Sequence, residues 1–545
     1  MSLKYLILFI IFTGSFLIQA QVFQGQKEYT EADTLRGSLR PERTSFDVLK
    51  YNLNVKVEPD KKFISGFNKI SFRVLENMPV MQLDLFANME VDSIIYHGTK
   101  LTYKREFNAV FISFEKALIP ETTDSLSFHF SGQPIVAVKP PWDGGFVFSK
   151  DKNGKDWVSV AVQGTGASLW YPNKDHQSDK PEEVEIHVAA PNGLMNVSNG
   201  RFTGKKDLGN GVTEWSWKVT NPINSYNIIL NIGDYVHFSD NFRDLDLDYY
   251  VLSYNLEKAK KQFQEVHPMM ECFYEHFGEY PFVEDSYKLI ESPYLGMEHQ
   301  SGIAYGNKFK MGYDGTDISK TGVGMKFDFI IIHESAHEWF GNSITSSDIA
   351  DMWIHEAFTS YAEAVYIECR WGKEKALEYL IGLQKTMISN EEPIIGDYSV
   401  NKEGSFDMYY KGANMLNTLR GVINNDEKWW ALLKNFSETF KHKITNTEEV
   451  IAFFEANSDE TLTPIFKQYL YHTEVPTLQL KKEKWRIYYR WETSVANFEM
   501  PIDVGIKERM KRIKPTSEWQ KLRGTRKLDK VKPDLERFYF GVEKM

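Results

Sequence analysis

The sequence predicts a multidomain α+β protein, with an all-β N-terminal domain, a mainly helical middle domain and a small C-terminal β-sandwich-like domain. Two changes of periodicity carry that prediction. From residue 46 to about 234, apolar and polar side chains alternate, as Tyr51, Leu53, Val55 and Val57 do with Asn52, Asn54 and Lys56; period two is the signature of a sheet with one wet face. After Leu256 the apolar spacing becomes helical, and beyond Val475 it returns to period two. A chain of 545 residues also exceeds what one hydrophobic core usually holds, so several domains are expected.

The elements follow in order. Lys4, an apolar run over residues 5–12 and the small residue Ala20 form a signal-peptide pattern over 1–20, with an uncleaved anchor or a buried strand as the alternative. The mature chain is therefore expected to be secreted or periplasmic, without stable membrane insertion. The N-terminal β-domain is assigned to 21–240, with strand patterns at 65–74, 80–85, 125–131 and 183–188 and turn residues at Pro59-Asp60, 151–154 and 191–193. The catalytic domain is assigned to 241–470, with helices at 257–277 (ending at Gly278), 326–340, 353–370, 374–385, 412–419, 427–441 and 448–455. The last domain, 471–545, alternates through Leu478, Leu480, Trp485, Ile487, Tyr489 and Trp491, and its basic stretch 507–514 reads as a strand edge blunted by charge.

Composition excludes some functions. A formal net charge of -11 repels a phosphate backbone, and no nucleic-acid-binding signature offsets it, so nucleic acid is not an expected partner. No signal for an oligomeric state is present. The two cysteines, Cys272 and Cys369, are too few for a disulfide scaffold. Both are expected to be buried small hydrophobes, although export would permit one bond between them.

The chemistry concentrates in the helix pattern that contains His333-Glu334-Ser335-Ala336-His337. Histidines four apart on a helix stand one above the other and can reach one ion, and a glutamate between them is placed to activate water. Zinc with an open position takes three protein ligands. A second helix bears Glu356, Thr359 and Glu363 on one face. Spacing alone does not choose between Glu356 and Glu363 as the third ligand.

These segments resemble the M1 family of zinc aminopeptidases, in the gluzincin group. The stretch from His333 to Asn342 matches its extended zinc motif, and eighteen residues separate His337 from Glu356, the family's spacing to its third ligand. The resemblance implies a thermolysin-like zinc peptidase domain with one Zn2+ per chain held by His333, His337 and Glu356. Leu295-Gly296-Met297-Glu298-His299 is similar to the family's exopeptidase motif, and Tyr409-Tyr410-Lys411-Gly412-Ala413 to its Y-x-K-G-A segment. By that likeness Gly296, Met297, Glu298 and Gln163 face the substrate, with Glu298 on its free α-amine, and the Tyr409 hydroxyl faces the oxyanion. Glu334 is implied as general base. Glu363 is expected to accept a ligand histidine's ring N–H, a role that follows only from the helical face it shares with Glu356. His299, His355 and Ala357 stand where Asn, Asn and Gly are usual, and Leu295 where Gly is. The resemblance also implies a short form without the large C-terminal helical domain that many members carry.

The reading that results is a zinc-dependent aminopeptidase acting on peptides with a free N-terminus. Two alternatives stay open: a related zinc hydrolase with another or second activity, such as an endopeptidase or epoxide hydrolase, and a non-catalytic binding protein on a peptidase scaffold.

Overall fold

The computed structural model describes residues 29–507 and 509–545; the signal-peptide assignment at 1–20 lies outside them. Strand Phe46–Glu58 is the spine of an eight-stranded sheet, paired antiparallel with Phe63–Val74 and parallel with Glu183–Pro191. Its alternating Tyr51, Leu53, Val55 and Val57 are all buried. They share one apolar core with a three-stranded and a four-stranded sheet. The four-stranded sheet matters for function, because its strand Asp156–Ala161 ends two residues before Gln163.

A short helix precedes these sheets. Helix α1 (Glu31–Gly37) is closed at its N-terminus by a capping box of Thr30 and Asp33. It crosses between the two larger units as a strap. Arg36 donates to the carbonyl of Gly164 (3.3 Å), and Asn401 donates to the same oxygen (3.1 Å). Tyr29 donates to Asp397. Arg43, fully buried, donates to the carbonyls of Arg36 and Ser38 and pairs with Asp84 at 2.7 Å.

The helical unit opens on a five-stranded sheet whose first hairpin is Tyr235–Phe242 with Leu245–Leu252. A division at 240/241 falls inside that hairpin. Period-two patterning resumes at Leu245, Leu247, Tyr249 and Val251 as in the first unit, so nothing local marks the change of sheet. At the far edge of this sheet, Gly296–Met297 pairs antiparallel with Ile303–Tyr305, which sets the Glu298 segment along the cleft.

The predicted helix 257–277 is two helices, α2 (Leu256–Gln262) and α3 (Val266–Phe277), joined by a 3₁₀ turn. Then come α4 (Phe329–Ala336), α5 (Trp353–Trp371), α6 (Lys373–Thr386), α7 (Asp407–Ile423), α8 (Asp426–Thr439), α9 (Thr447–Ala456) and α10 (Thr463–Tyr471). Helix α4 is shorter than the predicted 326–340 and has His337 at its C-cap. Past His337 the backbone continues through wider bonds, Asn342 N–H to His337 O and Ser343 N–H to Glu338 O. Helix α7 starts earlier than predicted, and α10 appears where no helix was expected. No helix among the described residues is long and apolar enough to cross a membrane.

The cysteine expectation is corrected. Cys272 on α3 and Cys369 on α5 form a disulfide, with Cα atoms 6.1 Å apart, and Cys369 is exposed rather than buried. Local patterning describes one side chain's surroundings and carries no information on a partner 97 residues away.

Residues 477–544 form a four-stranded and a three-stranded sheet whose inward side chains, Leu478, Leu480, Ile487 and Trp491 among them, join the core of the helical unit. Trp485 departs from the predicted alternation: it sits in the turn between Thr477–Glu483 and Arg486–Glu492 and is 75% exposed. The basic strand Arg509–Ile513 lies at a sheet edge. Lys411 ties this region to α7 by donating to the carbonyls of His472 and Thr473.

Candidate metal centre and cleft

Helix α4 is buried along its whole length because 329–332 are apolar. Asp328 caps it, accepting from the N–H groups of Ile330 and Ile331. This packing carries His333 and His337 into the interior, and α5 brings Glu356 against them. The ring Nε2 atoms of His333 and His337 lie 3.7 and 3.4 Å from Glu356 Oε2. One ligand atom from each of the three falls within 4.8 Å of the others.

The other ring nitrogens are engaged. His333 Nδ1 donates to Glu363 Oε1 at 2.7 Å, and Tyr379 donates to the second oxygen of Glu363. His337 Nδ1 donates to the carbonyl of Phe340 at 2.9 Å, with the Thr359 hydroxyl 3.2 Å away. Both Nε2 lone pairs are thereby turned toward the same point. Among the described residues Glu356 Oε2 is buried there without a hydrogen-bond partner, a costly arrangement unless a cation takes it up. Two imidazole nitrogens and one carboxylate oxygen suit Zn2+ with a position left open. The residues fit the ion.

Glu334 faces the same space. Among the described residues no protein group hydrogen-bonds its carboxylate, and burial pushes its pKa up. Gly296 is needed beside it, since a Cβ there would meet Glu334 Oε1 at 2.7 Å and Ile330 Cγ2 at 2.8 Å. The α5–α7 contact is equally close, with a Cβ on Gly412 falling 2.5 Å from that of Ala357.

Glu298 is buried beside His337 and Glu334, on the adjoining wall of the cleft. Gln163 and Tyr226 both donate to its Oε1, and Asn342 donates to its backbone carbonyl at 2.7 Å. An oxygen of Glu298 lies within 4.8 Å of Glu334 and His337. Burial, reinforced by the carboxylates of Glu356 and Glu334 against the pull of His337, pushes Glu298 up to about 7. Met297 lines the same wall. Tyr409, on the first turn of α7, stacks near His333 with ring centroids 6.1 Å apart. Its hydroxyl is raised well above the usual range, by burial first and then by Glu356. The cleft that collects these groups has about 510 Å³ of free space, within the range of small-ligand sites.

The structure thus brings together every predicted site residue: His333, His337 and Glu356 converge on one point with Glu363 behind His333, Glu334 and Glu298 lie beside His337, Gly296 abuts Glu334, Gln163 holds Glu298, Met297 lines the same wall, and Tyr409 stacks near His333. Sequence reasoning missed Tyr226 and Tyr379, which hold Glu298 and Glu363. Tyr226 comes from a segment 72 residues from Glu298, and Tyr379 from the helix that follows α5, with no motif around either. His299 and His355, two of the four departures from the family pattern, are buried and kept neutral, each pushed down to about 3 mainly by burial. His355 Nε2 accepts from the N–H of Ser346 at 2.9 Å and so braces the turn after α4.

Residues 254–469 match the family described as "Peptidase family M1 domain". The chain is 24% identical over 372 residues to "Probable aminopeptidase 1" of Saccharolobus solfataricus, covering 65% of this chain and 45% of that protein. It thus spans less than half of that relative's length. It is 21% identical over 500 residues to "Leucine aminopeptidase 2" of Vanderwaltozyma polyspora, covering 83% and 71%. Among solved structures, the M1 zinc metallopeptidase from Deinococcus radiodurans shares the fold, with a TM-score of 0.66, 18% identity and coverage of 79% and 94%.

Proposed function

We propose that this chain, which belongs to peptidase family M1 through residues 254–469, is a zinc-dependent aminopeptidase that removes the first residue of peptides, with one Zn2+ per chain. The observation that carries this reading is the position of Glu298. A buried carboxylate held by Gln163 and Tyr226, with an oxygen within 4.8 Å of Glu334 and His337, rewards a cationic amine one residue from the bond to be cut. A peptide without a free α-amine would leave that carboxylate unpaired.

His333, His337 and Glu356 would hold the zinc, which when bound supplies Lewis-acid activation of water and polarisation of the carbonyl. Glu334 takes the proton of the attacking water and passes it to the leaving nitrogen. Its burial raises its proton affinity toward that task. Glu363 and the Phe340 carbonyl fix the tautomers of the two histidines. Tyr409 donates its hydroxyl to the carbonyl oxygen as charge develops there. Tyr409→Phe is expected to lower kcat by roughly 10² with little change in KM; an unchanged kcat would remove Tyr409 from this role.

The reading is tested by hydrolysis of Leu-Gly-Ala and its N-acetylated form, before and after chelation and zinc add-back. Expected is zinc-dependent cleavage of the free peptide, with the acetylated one cut at least about 10²-fold more slowly, the loss set by an unpaired buried charge. Equal rates would point to an endopeptidase. An exported location, secreted or periplasmic, is part of the proposal; the leader pattern at 1–20 and a disulfide, a bond of oxidising compartments, support it.

A further inference from the structure

The mouth of the cleft carries two large rings that the chemistry above does not use. Trp142 is 66% exposed and Phe406 58% exposed, and both line the cleft that holds the metal ligands. Neither is a loose surface residue. Trp142 sits on a turn organised by Asp143, whose carboxylate accepts from the N–H groups of Val138 and Lys139. That turn is fastened to the Gln163 loop through the Thr165 hydroxyl, which donates to the carbonyl of Asp143 at 3.2 Å. Phe406 is the N-cap residue of α7 and stacks on Tyr409, centroids 4.7 Å apart.

These contacts make a ladder of rings from the interior to solvent: Phe329 against His333 at 5.1 Å, His333 against Tyr409 at 6.1 Å, and Tyr409 against Phe406. If Tyr409 faces the carbonyl of the first residue, the ring one step further out lies beside whatever follows that carbonyl. One residue of extended chain advances about 3.3 Å, comparable to the 4.7 Å step from Tyr409 to Phe406. Rings of this size held on ordered backbone but left wet are a platform for an apolar side chain.

We propose that Trp142 and Phe406 form a subsite for the side chain that follows the cleaved bond, so that peptides with an aromatic or other large apolar second residue are preferred. This rests on the aminopeptidase reading.

The test compares kcat/KM for Leu-Phe-Ala, Leu-Gly-Ala and leucinamide, which has no second residue. The parent protein is expected to favour Leu-Phe-Ala over Leu-Gly-Ala by roughly tenfold or more, the worth of two ring contacts. Trp142→Ala decides the matter because Trp142 has no assigned part in the chemistry and joins the site only as cleft lining; it should cut that ratio about fivefold, and Trp142→Phe should restore most of it. Phe406→Ala should lower the ratio too, together with kcat through Tyr409. A parent ratio near one, or a ratio unmoved by Trp142→Ala while leucinamide is still hydrolysed, would overturn the subsite alone. No turnover of any of the three would remove the aminopeptidase reading and the subsite with it.

Discussion

Glu334→Gln is expected to give a folded protein that binds zinc as the parent does and turns peptides over roughly 10²- to 10⁴-fold more slowly. Glu334 is not among the three groups that converge on the metal position, so its charge is not needed to hold the ion. Glutamine keeps the shape that fits against Gly296, where space is limited to the extent that a single methyl would collide. What disappears is the proton acceptor. Metal content of the purified variant and kcat on Leu-Gly-Ala separate the two effects: a near-parental rate would sink the general-base assignment, and loss of zinc would show that Glu334 also helps to bind it.

Removing the Cys272–Cys369 bond should produce the largest effect on stability. It closes a loop of about a hundred residues that contains α4, the Glu298 segment and all but the last turn of α5, since the cysteines are 97 apart in sequence. In the chain-entropy account such a loop contributes about 4.7 kcal/mol by restricting the unfolded chain. Replacing both cysteines by serine is therefore expected to lower the thermal midpoint of the helical unit by on the order of 10 °C. Because the effect acts on the unfolded state, kcat at 25 °C should stay close to parental. Calorimetry of the double variant beside the oxidised parent checks this, and coincident midpoints would mean that the bond does not constrain the unfolded chain.

Legibility from sequence tracked how local each feature is. His333 and His337 lie on one helix and its cap, so their spacing was enough to suggest a shared ion. Glu363 could be placed near them because it shares a face of α5 with Glu356 at i+7. The choice of Glu356 needed the family interval, since both carboxylates are fully interior and only the fold shows which one is left without a partner. Tyr226 and Gln163 meet Glu298 from loops 72 and 135 residues away, and no periodicity reports such meetings. Helix α7 extends beyond the predicted 412–419 because its first turn, Asp407-Met408-Tyr409-Tyr410, has no side-chain cap to mark where it begins. Its Asp407 instead accepts from the N–H groups of Ser389 and Asn390.

The strap of residues 29–43 bears on how the molecule is assembled. Tyr29 and Asp397 are 368 residues apart, and a chain leaves the ribosome N-terminus first. The strap is therefore made long before the loop it fastens, and the rim that joins Gly164 to Asn401 is completed only after most of the helical unit exists. An affinity tag placed ahead of Tyr29 would emerge beside the cleft mouth rather than on a remote face, so tags for substrate-competition work belong after Met545.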